Sequence, residues 1–319
     1  MPRPGMRPAP MTGARATGVR PRCPARTRWE APPGEALAVI LLVTRTDKRG
    51  VLLAKSEVFP NAPLQLVAFE LIFQPNPNLA AASTLSALGA WADAEESTVE
   101  LAPQTPPRVL GQPPNITLSL EPALFRIMAE SKTLSITLWR NSLTVEHSEY
   151  ERYGDFRMLL LNILTSLLVV ADLSPIERLG LRYIDELHVP ADIGTAQQWE
   201  PYINKALLAP LDLVSAAKTS NLGGTLELEL NDDRFVNVRY ATVRGPATRG
   251  GAIKLRPRPP TPSFLLDTDG FWLPPGGAPL VGADDVLKVC DDLHRAVDDI
   301  FDLVVTEHCR NTVLRKEAL

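Results

Sequence analysis

The run "GADDVLKVCDDLHRAVDDIFDLVVTEHCRNTVL", residues 282–314, places the tightest limit on how this chain can fold. Its apolar positions Val286, Cys290, Leu293, Val297, Ile300 and Val304 recur at steps of three and four. That spacing predicts a long closing helix with one continuous apolar stripe. Such a stripe has to be covered by a second layer. Asp284 or Asp285 stands where a carboxylate caps the helix start and suits its dipole.

The second layer is written with a period of two. "LQLVAFELIF", introduced by the turn-forming "PNAP", reads as a strand, and "LFRIMAES", "LSITLWRN" and "LTVEHSEY" read as an antiparallel meander. "IERLGLRYIDEL", "LVSAAKTS", "GGTLELELN", "RFVNVRYATVR" and "PSFLLDTDGFW" supply further strands. "DFRMLLLNILTSLLVVADLSP" predicts a helix that is apolar almost all round and so buried on more than one side. "LAAASTLSALGAWADAEES" and "QWEPYINKALLA" predict lesser helices, and "APQTPPRVLGQPPN" a loop. Each half runs strands first and then a long helix, without βαβ alternation. The expected class is α+β: two lobes of mainly antiparallel sheet, each closed by a long helix. The N-terminal lobe spans 58–190 and the C-terminal lobe 191–319.

Charge divides the chain unevenly. Residues 1–50 hold ten Lys and Arg against three Asp and Glu, leaving 23 against 34 in the rest, so a net charge of −4 conceals an acidic body of −11. An acidic body repels phosphate chains, which disfavours nucleic acid as a partner. The Pro- and Arg-rich residues 1–57 cannot bury enough apolar surface to offset their ordering entropy and are expected to be a disordered leader. Its origin has three readings: an upstream start-site artefact, with alternative start codons at Val51 or Leu52, a basic tail, or a targeting peptide. "ALAVILLV" is only eight residues long, and no run approaches the roughly 18 apolar residues of a membrane span. With 45% apolar and 22% charged residues, the expectation is a soluble, cytoplasmic protein with no membrane contact.

Cys290 and Cys309 would lie far beyond disulfide reach on one continuous helix, and no CxxC or Cys/His metal spacing occurs. "NLGGT" matches no phosphate-binding glycine pattern. No metal and no cofactor are expected.

Strand alternation in "ERLGLRYIDEL" puts Leu179, Leu181, Tyr183 and Asp185 on one face and Arg178, Gly180, Arg182, Ile184 and Glu186 on the other. Arg178 and Arg182 root about 13 Å apart, at about 3.3 Å per residue. They are the candidate anion-binding pair, since guanidinium forks suit carboxylate or phosphate. The structural alternative pairs Arg178 with Glu177, Glu146 or another cross-strand acid and makes Arg182 a brace of the sheet against an Asp-rich helix. Gly180 leaves room for a packed ring or a ligand. Glu70 is a rim carboxylate or a buried functional acid, and His147 alternates outward beside Glu146 and Glu149. His294, flanked by Asp291 and Asp298, is either a helix-flank histidine or a base oriented by Asp298 at i+4, and no Ser or Cys nucleophile pairs with it. Asp267 and Asp269 share a strand face that could meet a divalent ion, yet no third ligand is identifiable. "KLRPRPPTPS" reads as a surface connection and is the one basic patch of the body able to touch phosphate.

Five stretches together, "NAPLQLVAFELIF", "YGDF", "RLGLRYID", "LLDTDGFW" and "DDLHRAVDDIFDLVVTEHCR", resemble a sporadically distributed bacterial protein family of unknown function. Its central strand is close to "RIGLRYIN", and its members begin near the position of Phe59. Gln65 and Asp185 depart from the family pattern, where an acid and an Asn are common. The resemblance implies domain limits and no activity or cofactor. With no complete catalytic constellation, the expected function is a non-catalytic protein-binding or accessory module with a partner protein or a homo-oligomeric state. The rival is an enzyme or small-anion sensor built around Arg178 and Arg182 in a cleft between the lobes.

Overall fold

The computed structural model describes residues 57–80, 84, 86, 89, 97–100 and 124–316, apart from 215–217, 232, 245–252 and 280–281. The expected leader, except Glu57, and the Pro-rich loop lie outside the described residues, as does most of the Ala-rich helix, of which Thr84, Ser86 and Gly89 are helical. The described residues fall in one compact unit.

Nine strands are present among the described residues: β1 (Leu64–Phe73), β2 (Ser97–Glu100), β3 (Phe125–Ala129), β4 (Leu134–Leu138), β5 (Ser142–His147), β6 (Ile176–His188), β7 (Gly223–Glu229), β8 (Arg234–Val243) and β9 (Ser263–Trp272). Besides the helical Thr84, Ser86 and Gly89, four α-helices accompany them among the described residues: α1 (Tyr153–Leu168), α2 (Lys205–Leu208), α3 (Ala283–Val304) and α4 (Glu307–Cys309). Every strand pairing is antiparallel, so the α+β class is what the chain adopts.

The strands of both halves join in one sheet, of order β2-β3-β4-β5-β1-β6-β9-β8-β7. β6 makes the junction. Over 13 residues it pairs with β1 along one side and with β9 along the other, so its backbone groups bond on both edges. Where separate sheets are expected for 58–190 and 191–319, this interior strand makes them continuous. The described residues of "LVSAAKTS", 213–214 and 218–220, are not in a strand: Val214 closes a 3₁₀ turn, and the Thr219 carbonyl accepts from the Ala196 amide at 2.8 Å.

The helices cover one face of the sheet. Val67, Phe69 and Leu71 of β1, Leu179 and Leu181 of β6, and Leu160, Ile163 and Leu164 of α1 form one apolar cluster with Val286, Cys290 and Leu293 of α3. Ile300 and Val304, further along α3, join a second cluster with Val236 and Val238 of β8, Phe264 and Leu266 of β9, and Trp199. All six stripe residues of α3 are buried. Val305 then turns extended and bridges Ile203, and the Thr306 hydroxyl accepts from the Cys309 amide at 3.1 Å to start α4. The expected single helix through Leu314 is therefore interrupted: the Val305 amide still donates to the Phe301 carbonyl, but the Val304 carbonyl accepts from the Asn204 amide and the Thr306 amide donates to the Tyr202 carbonyl.

Gly270 sets how closely α3 approaches β9. A Cβ there would stand 3.2 Å from Val297 Cγ2 and 3.5 Å from Leu293 Cβ. Gly270→Val is expected to push the helix outward and lower stability by about 1–3 kcal/mol, read as a lower urea midpoint.

Candidate functional site

The sheet face opposite the helices carries a ladder of charge. On β6 the alternation exposes Arg178, Gly180 and Arg182 to this side, and register places Glu70 of β1 and Phe271 of β9 beside Gly180, with Asp269 beside Arg182. The Arg178 guanidinium lies back across Gly180, where any Cβ would overlap it. From there it hydrogen-bonds Glu70, bonds Asp269 at 3.1 Å, and covers the Phe271 ring with its carbon 5.0 Å from the centroid. Gly180 thus gives room to its own neighbour's side chain.

Arg182 makes a two-pronged contact with Asp267, Nε and Nη2 each 2.6 Å from a carboxylate oxygen. Arg239 of β8 reaches the same carboxylate at 3.3 Å, and Asp267 has no solvent exposure. Burial lowers the pKa of Arg182, but the hydrogen bonds and charge of Asp267 outweigh it, and the net shift is upward. Asp269 is raised by burial, against the pull of Arg178 and Arg182. The structure therefore brings Arg178 and Arg182 to one face, each with its forked donors directed to carboxylates. Asp267 and Asp269, which share that face, turn to arginines. Further along, Arg126, Ser135, Thr137 and Glu146 are buried, and burial pushes the Glu146 carboxyl up to about 7 against the fields of Arg126 and Arg182. His147, expected to point outward, sits opposite the buried Val67, because alternation gives the other face to Glu146.

His294 lies on the helix-covered side. Its Nδ1 is 3.1 Å from the Tyr183 hydroxyl, and its ring stacks on Tyr153 at 3.9 Å between centroids. Tyr150 packs edge-on against Tyr183, 5.7 Å away. The Tyr153 hydroxyl donates to Asp291 at 2.8 Å, and Arg157 grips the same carboxylate at 2.9 and 3.2 Å. Burial holds His294 at about 4, with Asp291 opposing and Arg295 adding to the effect; Asp298 instead exerts its field on Tyr150. A base of that pKa is far from the value that serves proton transfer at neutral pH. Burial likewise raises the phenols of Tyr150, Tyr153 and Tyr183 and the thiol of Cys290, and takes Cys309 up to about 12, so neither thiol is activated. Asp185, also on this side, is pushed up to about 7 by burial against the charge of Arg258.

The "KLRPRPPTPS" segment crosses the strand ends as a strap. Lys254 donates its amide to the Lys132 carbonyl at 2.8 Å and accepts from the Ser148 hydroxyl at 2.7 Å. Arg256 reaches the Tyr150 carbonyl at 3.2 Å, and Arg258 the Ala62 carbonyl at 3.1 Å. A cleft of about 150 Å³ opens beside it, lined by Gln65, Glu186, Leu255, Arg256, Arg258 and the Pro259-Pro260 pair. Among the described residues no group of three His, Cys, Asp or Glu is placed to hold a metal ion. No helix of the described residues is long and apolar enough to cross a membrane.

The sequence singles out Arg178, Arg182, His294 and Asp298 by residue type, but not Arg239, Tyr150 or Tyr153, their closest associates. Only the Tyr-x-x-Phe segment hints at Tyr153, since cross-strand and helix–sheet neighbours leave no local pattern. No family model matches the chain, and no curated protein matches it.

Two tests follow from these contacts. Asp267→Asn leaves two arginines facing a neutral group and is expected to cost about 3–5 kcal/mol by urea unfolding. Arg178→Gln gives up the water-exposed Glu70 and also removes the cation that holds the largely buried Asp269, and is expected to cost about 1–3 kcal/mol. The pH dependence has two opposed parts. The unfolded chain protonates His294 near 6.5 and the folded chain near 4, so stability is lost as pH falls through that window. Asp185 stays protonated to about 7 when folded but ionises near 3.8 when unfolded, so stability is lost as pH rises between those values. In thermal unfolding, His294→Asn should flatten the acid limb, and Asp185→Asn should unfold at a higher temperature than wild type at pH 8.

Proposed function

We propose that this chain is a non-catalytic binding module that takes a basic, extended segment of a partner protein along the outer edge of β7. The observation that carries this reading is the state of that edge. Among the described residues β7 pairs with β8 alone, and Thr225, Leu226, Glu227 and Glu229 are exposed. Unpaired strand backbone is a template for an added strand, and the side chains decide which one. "TLELE" turns Leu226 and Leu228 to one face and Thr225, Glu227 and Glu229 to the other, asking for a partner that alternates apolar and basic residues. Pairing with an identical strand is disfavoured: antiparallel registers centred on Glu227 or Leu228 set glutamates opposite each other.

The same reading places the protein in the cytoplasm, and the two described cysteines, both unbridged, are in keeping with a reducing compartment. It also places the chain in the sporadic bacterial family it resembles. In support, the five shared stretches fall on β1, the start of α1, β6, β9 and the α3–α4 region, the elements that build the centre of the fold.

A labelled peptide of alternating lysine and valine is the direct probe. Saturable binding by the wild-type chain, weakened at least tenfold in E227K/E229K with thermal stability unchanged, is the expected result. Absence of binding, or binding indifferent to the charge reversal, would overturn the proposal. A sedimentation mass of two chains that L226K returns to one would assign the edge to a second copy instead.

A further inference from the structure

We propose that the cleft under the strap, between Arg256 and Arg258, binds a small oxyanion, the phosphate or carboxylate group of a ligand. This site is distinct from the Arg178 and Arg182 ladder and from the β7 edge. The difference from the ladder lies in what holds each guanidinium. Arg178 and Arg182 are bonded to carboxylates, whereas Arg256 and Arg258 are anchored by neutral acceptors: the carbonyls of Tyr150, Ala62 and Leu64. Turning the Gln65 amide over, so that its oxygen faces Arg258, puts its nitrogen 3.2 Å from the Arg256 carbonyl and completes the cradle. Carbonyls and amides fix the position of a guanidinium without cancelling its charge.

Two observations point to a missing counter-charge. First, donors remain. Nη1 of Arg258 and Nε and Nη1 of Arg256 meet no acceptor among the described residues. Second, the two guanidiniums repel. Burial lowers the pKa of Arg258, and the charge of Arg256 lowers it further, against the pull of Glu186 and Asp185. Among the described residues of the lining Glu186 is the one carboxylate, and its Oε1 is turned to the Ser263 hydroxyl at 3.3 Å and stands 3.4 Å from His188 Nε2. Two cations against one carboxylate leave a positive charge in the lining, and a forked guanidinium pair matches the oxygens of phosphate or carboxylate.

The shape limits the ligand. About 150 Å³ is well under the 300 Å³ or more of a pocket for a drug-sized molecule, so the cleft takes an anionic head with a small apolar neighbour against Leu255 and Pro259. Pro257, Pro259, Pro260 and Pro262 fix the strap's backbone angles, so little ordering remains when the anion enters. The "KLRPRPPTPS" patch thereby gains a role that a plain surface connection does not have.

Thermal unfolding of the full chain in inorganic phosphate and in sodium acetate, each against sodium chloride of equal ionic strength, tests the site. A saturable rise of about 3 °C at 20 mM phosphate or acetate is expected for a millimolar site. The rise should vanish in Arg256→Gln and persist in Arg178→Gln, and the larger of the two arms names the oxyanion. Arg258 is left intact because it also ties β1 to the strap. Phosphorus NMR line broadening with Arg256→Gln gives a readout independent of folding. Responses no larger than those in chloride, or a response that survives Arg256→Gln, would overturn the proposal.

Discussion

Asp267 has no contact with water, and its carboxylate is held by Arg182 of β6 and Arg239 of β8 while its own backbone belongs to β9. Three adjacent strands are thereby tied through one side chain. A buried charge is costly unless it is paired with good geometry, and the two-pronged contact to Arg182 supplies that geometry. The interaction makes the register of β6 against β9 specific. A slip by one residue would turn Arg182 toward the apolar side and leave Asp267 unpaired. The rest of the ladder, Arg178 with Glu70 and Asp269, extends the same logic across β1 with more exposed and weaker pairs.

Because that register holds, the opposite face of β6 presents Leu179, Leu181 and Tyr183 to the helices, and α3 can lie across both apolar clusters. Gly270 provides the space for the crossing. Tyr183 then meets His294, so the aromatic cluster follows from the placement of β6 and α3. In that cluster, burial keeps the histidine and the phenols neutral, which suits packing better than proton transfer. The features left facing outward are of another kind: an acidic-apolar strand edge at β7 and a cationic cleft at the strap. Both suit recognition.

Much of this was legible in the residues. The core face of β6, the apolar stripe of α3, the strand identity of β1, β8 and β9 and the antiparallel character all follow from local periodicity, which the final packing respects. The structural reading of Arg178 and Arg182 was legible too, because each arginine stands on a strand with acids nearby in sequence and composition. Their partners were not, since Glu70, Asp267 and Asp269 lie 85 to 108 positions away. Arg239 lies only 28 positions from Asp267, but cross-strand pairing of β8 with β9 leaves no local pattern, and the strap passes Tyr150 and Ala62 from more than 100 positions away.

The sequence by itself determined the core faces of β6 and α3 and that antiparallel strands and helices would be layered, because side-chain periodicity is a local property of the chain. Tertiary structure alone decided that the two halves share one sheet, since strand order depends on which edges meet and β6 has two to offer. It also decided which arginines keep their charge open. Arg178 and Arg182 look like the anion site in one dimension; in three they are matched by carboxylates, while Arg256 and Arg258 are met by carbonyls. The reason is physical: a cation's availability depends on its neighbours in space, and these come from β1, β9, Ala62 before β1 and Tyr150 after β5 rather than from its own segment.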